Sequence, residues 1–293
     1  MNDSTQPIAS VVIPAHNEEA VIVANLRRLL DGTEPGELDI VVVANACTDR
    51  TAERARAIGV RVIETDVAGK VNAVRLGDEA CRTFPRVYVD ADVGLTGAGI
   101  RALATAAAKP GVLACAPALR LDLSGVGPVA RRVHRVHDRL VAPGRALAGV
   151  GAYVLTEQGH ARVFPMPDVI SDDGWVHNSF APDERVVVTG ARSVVRPART
   201  VRAYLNRRVR VRRGNEQLAA LGRPAPQGRL ELRTLATLVT TRQVSPLDAG
   251  CYLAVLSFDR LLTRLRGNGQ VRWGGDASSR SAPVPPVSSV DGA

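Results

Sequence analysis

Between residues 8 and 108 the chain alternates short apolar runs with longer amphipathic ones, and this alternation restricts it to one fold class. Residues 8–14, 38–43, 60–64 and 86–89 are rich in Val and Ile and read as buried strands, the first stopped by Pro14. A helix follows each. The first is capped by Asn17, with Glu18 and Glu19 in its opening turn, where acids suit the helix dipole. The second is capped by Thr48 or Asp49 and runs to Ile58, before Gly59; the others cover 69–84 and 97–108. Strands separated by helices of about 10–16 residues form βαβ units, which gives an α/β fold: a mostly parallel sheet with helices on both faces.

Further along, 112–121 reads as a fifth strand, 128–141 as a helix, 149–155 as a strand and 185–195 as a strand or hairpin. From Arg199 the chain turns helical and rich in arginine, with 230–266 forming one or two helices. Residues 268–293 carry Gly, Ser and Pro with little apolar content and read as a disordered tail. The expected organisation is therefore a main domain over 1–198, a C-terminal helical extension over 199–267, and the tail.

Charge narrows the partners. Lysine occurs only at Lys70 and Lys109, so the net charge of +9 is carried by arginine and favours anionic partners: nucleotides, nucleic acid or an acidic membrane surface. Aromatic side chains are nearly absent from the arginine-rich stretch, which argues against single-stranded nucleic acid. Cys47, Cys81, Cys115 and Cys251 lie far apart without a C-x-x-C spacing and read as reduced thiols of a cytoplasmic protein. Residues 2–6 are polar, with no signal-like segment. The apolar run 249–258, between Asp248 and Asp259, is too short to span a bilayer. It packs on the main domain, or rests on another subunit or on the cytoplasmic face of a membrane as a peripheral contact.

The chemistry concentrates at strand ends. In Val87-Tyr88-Val89-Asp90-Ala91-Asp92 a strand runs into two carboxylates on the same side of the extended chain, about 6–7 Å apart. Such a pair repels unless one acid is protonated or a cation lies between them, and Mg²⁺ or Mn²⁺ suits carboxylate oxygens. A solvated turn is the competing reading of so short a motif. In a parallel sheet ligands bind beyond the carboxyl ends of the strands, where Pro14-Ala15-His16, Ala44-Asn45-Ala46 and Asp90-Ala91-Asp92 all fall, so these loops should converge on one crevice. No G-x-G-x-x-G follows the first strand and no P-loop is present; Gly149-Val150-Gly151 lacks the third glycine. A diphosphate would then be neutralised by a metal and basic side chains. His134, His137 and Asp138 have metal-compatible helical spacing, but Arg131, Arg132, Arg135 and Arg139 surround them and would repel a cation, so a polar helix face is expected there.

Six stretches occur in order between Ser10 and Asn215: V-V-I-P-A-H-N-E-E, V-A-N-A-C-T-D-R-T-A, G-K-V-N-A-V-R-L-G, V-D-A-D, G-V-G-A-Y-V-L and S-D-D-G-W. Together they resemble the inverting family-2 glycosyltransferases of the GT-A (Rossmann-like) fold. The resemblance implies a nucleotide-diphospho-sugar half over about 8–122 and an acceptor half over 123–198. It implies a divalent metal, Mg²⁺ or Mn²⁺, a nucleotide-diphospho-sugar donor, and an acceptor hydroxyl or amine on a small molecule, lipid-linked molecule or glycan. On this resemblance Pro14, Ala15, His16 and Glu18 hold the base and ribose, Glu18 also serving helix stability, and Asn45 reads the base edge. Ala44 stands where many members carry an acid, which leaves the nucleotide open. Lys70 approaches the phosphates or is solvated. Asp90, Ala91 and Asp92 hold metal and diphosphate with His177 near the metal, and Arg212 or Arg213 closes over the diphosphate. Asp173 is the base that deprotonates the acceptor, with Asp172 as the alternative. The rival readings are a nucleotidyltransferase that makes sugar nucleotides, a retaining GT-A transferase, and a non-catalytic nucleotide-sugar-binding module.

Overall fold

The computed structural model describes residues 6–224 and 232–266; the tail expected at 268–293 lies outside them. The first half alternates as β1 (Ala9–Ala15), α1 (Ile22–Leu30), β2 (Leu38–Asn45), α2 (Thr51–Arg56), β3 (Arg61–Thr65), α3 (Lys70–Glu79), β4 (Arg86–Val89) and α4 (Gly97–Ala107). There follow β5 (Ala114–Leu121), α5 (Pro128–Val141), β6 (Ala152–Leu155), α6 (Glu157–Val163), α7 (Asp172–His177) and β7 (Arg185–Val195). Three helices complete the described chain: α8 (Val201–Ala220), α9 (Leu232–Thr240) and α10 (Pro246–Arg266).

Seven strands form one sheet in the order β3-β2-β1-β4-β6-β5-β7. Pairing is parallel except at β6, which runs antiparallel between β4 and β5. The two-residue period of the strands sorts the core onto two faces. Val11, Ile13, Val42, Val87 and Val89 pack with Ile22 and Leu26 of α1 and Ile100 and Leu103 of α4. Val12 and Tyr88 face the other way, toward Val74 of α3 and Val176 of α7. On that face Gly77 lets α3 approach closely, because a Cβ there would stand 2.5 Å from Val12 Cγ1.

Several boundaries differ from expectation. Asn17 does not cap α1. It sits at φ 53, its Oδ1 accepts from the Thr48 backbone N–H at 2.8 Å, and α1 begins only at Ile22, where the Glu18 carbonyl takes the first helical bond. Residues 16–19 are instead used to clamp the loops after β1 and β2 together. Pro14 stays inside β1, opposite Val43; β4 pairs with β1 only up to Val12, so the absent N–H interrupts no ladder on that side. α3 stops at Glu79 rather than continuing to 84. The segment 185–195 is a single strand, its register against β5 broken by an irregularity after Pro117. His134 and His137 do not form a solvated polar face: they pack against Tyr204 and Tyr252, and His134 Nε2 donates to the Ala198 carbonyl at 2.8 Å.

α5, α8, α9 and α10 share a third apolar cluster that includes Val133, Val136, Tyr204, Leu235, Tyr252 and Leu256. The run 249–258 therefore packs one face on the main domain, pinned by Arg132–Asp248 at 2.5 Å, and leaves Leu253 and Phe258 exposed on the other. Among the described residues no helix is long and apolar enough to cross a membrane.

Candidate active site

The crevice is assembled where β1, β2 and β4 end and β6 begins. Pro14, Lys70, Tyr88, Asp90, Gly151, Tyr153, Asp172 and Asp173 line one pocket there, which brings the two acidic stretches of the sequence together. Lys70 is the hinge between them. As the first residue of α3 it projects Nζ to 2.7 Å from Asp90 Oδ1 and 2.9 Å from Asp172 Oδ1. Burial alone would lower its ammonium, but the carboxylates of Asp172, Asp90 and Asp173 outweigh that and hold it above the ordinary lysine range. Lys70 is thus an engaged cation rather than a solvated one.

Asn45 explains how Lys70 is placed. It is fully buried at the end of β2, and its Nδ2 donates to the Gly69 carbonyl at 2.8 Å, fixing the turn that starts α3. With its amide nitrogen turned inward, Asn45 acts as a strut for this turn. His16 Nδ1 donates to the Asn45 carbonyl at 2.7 Å, tying the β1 and β2 loops at the crevice rim. Glu18 is buried behind it, its backbone N–H bound to Thr51 Oγ1 at 2.8 Å. Thr48 and Asp49 belong to the same clamp: Asp49 Oδ1 accepts from the Thr51 N–H at 3.0 Å and so opens α2.

The turn before β6 links the acids from the other side. Gly149 and Gly151 both adopt left-handed backbone conformations, at φ 73 and φ 71. The Gly149 N–H donates to Asp173 Oδ2 at 2.7 Å, and the Gly151 carbonyl accepts from the Asp90 N–H at 3.0 Å. A Cβ on Gly151 would lie 2.5 Å from Val93 Cγ2, so only glycine lets this turn close on the Asp90–Val93 turn. Asp173 Oδ1 also accepts from Ser171 Oγ at 2.9 Å and the Gly174 N–H at 2.8 Å, which locks the carboxylate at the start of α7. Asp173 is half-buried while Asp172 is buried against Lys70, so Asp173 is the more accessible of the two. Ala91 is buried, its carbonyl held by Asn25 Nδ2 at 2.7 Å, which fixes the loop carrying Asp90 and Asp92.

Two expected members sit elsewhere. Arg212 is directed away from the crevice: its guanidinium lies 2.5 Å from Asp259 Oδ2 and donates to Thr263 Oγ1 on α10. Arg213, one residue further round α8, is half-buried. The arginine whose charge meets Asp92, Asp173 and Asp90 is Arg207, with Arg210 beside it. Arg207 lies two turns before Gly214, and Gly214 packs on Ser171 (3.1 Å from a built Cβ to Ser171 Cβ), so both lie on the face of α8 toward α7. That small residue is the sequence signal that would have picked out the facing arginine. His177 is buried at the end of α7, where burial, with Arg185 beside it, pushes its imidazole down to about 4 against the pull of Asp173. It does not join Asp90 and Asp92: among the described residues no three His, Cys, Asp or Glu side chains converge as a metal-binding group. Asp90 and Asp92 nonetheless offer hard oxygen donors that fit Mg²⁺ or Mn²⁺ if a bound diphosphate and water complete the coordination.

Tyr153, which the sequence reading passed over, is 4% exposed and its hydroxyl has no hydrogen-bond partner. A buried polar group left unmet costs about 1–3 kcal/mol, which sets this hydroxyl apart in the pocket wall.

With this geometry in view, the similarities of the chain take on meaning. Residues 10–139 match the family model described as glycosyl transferase family 2. The fold matches a mannosyltransferase from Pyrobaculum calidifontis in complex with GDP-Man and Mn²⁺, at TM-score 0.58 and 17% identity over 90% of this chain and 76% of that one. It also matches glucosyl-3-phosphoglycerate synthase from Mycobacterium tuberculosis with Mn²⁺, UDP and glucosyl-3-phosphoglycerate, at TM-score 0.53 and 20% identity over 74% of this chain and 80% of that one. A second complex of that synthase, with Mn²⁺, UDP-glucose and phosphoglyceric acid, matches at TM-score 0.52 and 20% identity, over 74% of this chain and 80% of that one. No curated protein sequence matches the chain. The fold is GT-A, and residues 10–139 are similar to the family-2 glycosyltransferase model.

Proposed function

We propose that the chain is a family-2 glycosyltransferase, inverting and metal-assisted, that moves a sugar from a nucleotide-diphospho-sugar to an acceptor hydroxyl or amine. The observation that carries the reading is the convergence on one pocket of Asp90 with Asp172 and Asp173, bridged by Lys70. A binding module has use for the first site alone; an acid facing it across the pocket is what a transfer reaction needs.

In this reading the diphosphate lies at the Asp90–Asp92 end, where the two aspartates would hold Mg²⁺ or Mn²⁺, and the metal would supply charge neutralisation of the leaving diphosphate. The ligands bound in the two structural neighbours, GDP-Man and UDP-glucose, each with Mn²⁺, support that assignment. Lys70 and Arg207 add positive charge at the same end. The half-exposed Asp173 takes the acceptor proton as the acceptor atom bonds to the anomeric carbon and the bond from that carbon to the diphosphate oxygen breaks. Three hydrogen-bond donors fix the direction of its carboxylate, two on Oδ1 and one on Oδ2, and Oδ2 keeps a lone pair for the proton.

A thermal-shift panel of UDP-, GDP- and dTDP-sugars, with and without Mn²⁺, tests the reading. It predicts stabilisation by one nucleotide series that depends on the metal. An unchanged melting temperature across the whole panel with Mn²⁺ present would overturn it.

A further inference from the structure

β6 pairs with β4 so that Tyr153 stands opposite Tyr88, and the two rings stack with centroids 4.9 Å apart. Their hydroxyls have different surroundings. Tyr88 Oη donates to Asp78 Oδ1 at 2.5 Å. Tyr153 Oη is buried without a partner, in the wall of the pocket that holds Lys70, Asp90, Asp172 and Asp173. The neighbouring carboxylates already hold other donors: Asp172 and Asp90 are bound by Lys70, Asp173 by Gly149, Ser171 and Gly174. Burial, with the charges of Asp172, Asp90 and Asp173 nearby, holds the phenol well above its ordinary range, so the hydroxyl keeps its proton and remains a neutral donor.

Phenylalanine would give the same ring stack against Tyr88 without a desolvated hydroxyl. The oxygen at this position can serve a ligand group that enters the pocket. Asp90 marks the leaving-group end and Asp173 the base end, and the part of a donor that must lie between them is the sugar. We infer that Tyr153 Oη hydrogen-bonds a hydroxyl of the sugar being transferred, which makes Tyr153 a residue that recognises the sugar and not the nucleotide. The inference rests on the glycosyltransferase reading and adds to it a specificity residue contributed by β6. The phenol is uncharged and can both donate and accept, so it suits a polyhydroxylated sugar.

The test compares the wild-type protein with Y153F, using UDP, GDP, UDP-glucose and GDP-mannose in the presence of Mn²⁺. Y153F is expected to melt at the wild-type temperature or slightly above it, since it removes an unmet hydroxyl. It should bind UDP or GDP as the wild type does. The extra affinity that the wild type gains from the sugar moiety should fall by about five- to tenfold, with KM for the nucleotide-sugar rising accordingly. Y88F is the contrast: losing a bonded hydroxyl, it should lower the melting temperature. If Y153F keeps the full gain from the sugar, the inference is overturned and the proposed function stands. If Y153F melts several degrees lower and loses nucleotide and nucleotide-sugar affinity equally, the hydroxyl is structural and the inference is likewise overturned. If the wild type itself gains nothing from any of the four compounds, both readings fall.

Discussion

Lys70 Nζ lies 2.9 Å from Asp172 Oδ1, although the two residues are separated by 102 positions in the chain. Through this contact the start of α3, in the first half of the sheet, is fixed against the start of α7, beyond β6. The same ammonium reaches Asp90, so one side chain connects the end of β4 with the second acidic stretch.

Lys70→Met keeps the aliphatic volume and leaves Asp172 buried without its cation. Breaking a buried pair from one side costs about 3–5 kcal/mol, and the partial exposure of Lys70 places this substitution near about 2–3 kcal/mol. Adding Asp172→Asn should restore part of that loss, because the uncompensated charge is gone. Urea unfolding of the two single variants and the double variant checks this. Strictly additive losses would show that the contact does not couple the two elements.

Asp259 on α10 accepts from both Arg208 and Arg212 of α8, at 2.9 and 2.5 Å, with its own side chain buried. Asp259→Ala strands two arginines against the third apolar cluster and should lower stability by about 3 kcal/mol. A denaturation midpoint within error of the wild type would contradict the account of how α8 is held.

Three histidines make stability depend on pH. Burial is the largest cause in each case: it lowers His134, and it takes His137 to about 3 and His177 to about 4, with the arginines nearby adding to the effect. Each folded value lies below the unfolded value of about 6.5, so between these limits the unfolded chain binds more protons than the folded one. The contribution is complete above about pH 6.5 and is lost as the pH falls toward 4. His137 and His177 each add a slope of about 1.4 kcal/mol per pH unit in that window, and His134 acts in the same direction. Urea midpoints measured from pH 4.5 to 7.5 should rise with pH, and His137→Gln should flatten the rise. Stability that is level or increases on acidification would contradict it.

The strand–helix alternation was legible because period-2 apolar runs and glycine helix signals were strong, and β1 to α4 occur in the expected order, although α1 starts later and α3 stops earlier than expected. The crevice was legible too, since strand ends of a parallel sheet fix where Asp90 and the first two loops must meet. What stayed hidden depends on side-chain direction across distant elements. Asn45 is a residue type suited to a base edge, yet burial turns its amide onto Gly69. Arg212 and Arg207 belong to one arginine-rich run, and only the packing of Gly214 on Ser171 and the pull of Asp259 decide which of them faces the acids. Gly149 and Gly151 read as an incomplete dinucleotide fingerprint, whereas their left-handed turns hold Asp173 and Asp90. His134 and His137 looked polar because their neighbours in sequence are arginines; their neighbours in space are Tyr204 and Tyr252.

The central claim, that Asp173 activates the nucleophile against a donor held at Asp90 and Asp92, is tested most directly with water as the acceptor. Release of nucleoside diphosphate from the nucleotide-sugar that stabilises the protein is followed with Mn²⁺ for the wild type and for Asp173→Asn, alongside donor affinity by calorimetry. The account predicts measurable release by the wild type and a loss of about 100-fold or more in the variant, with donor affinity retained. Equal rates of release from the two proteins would contradict it.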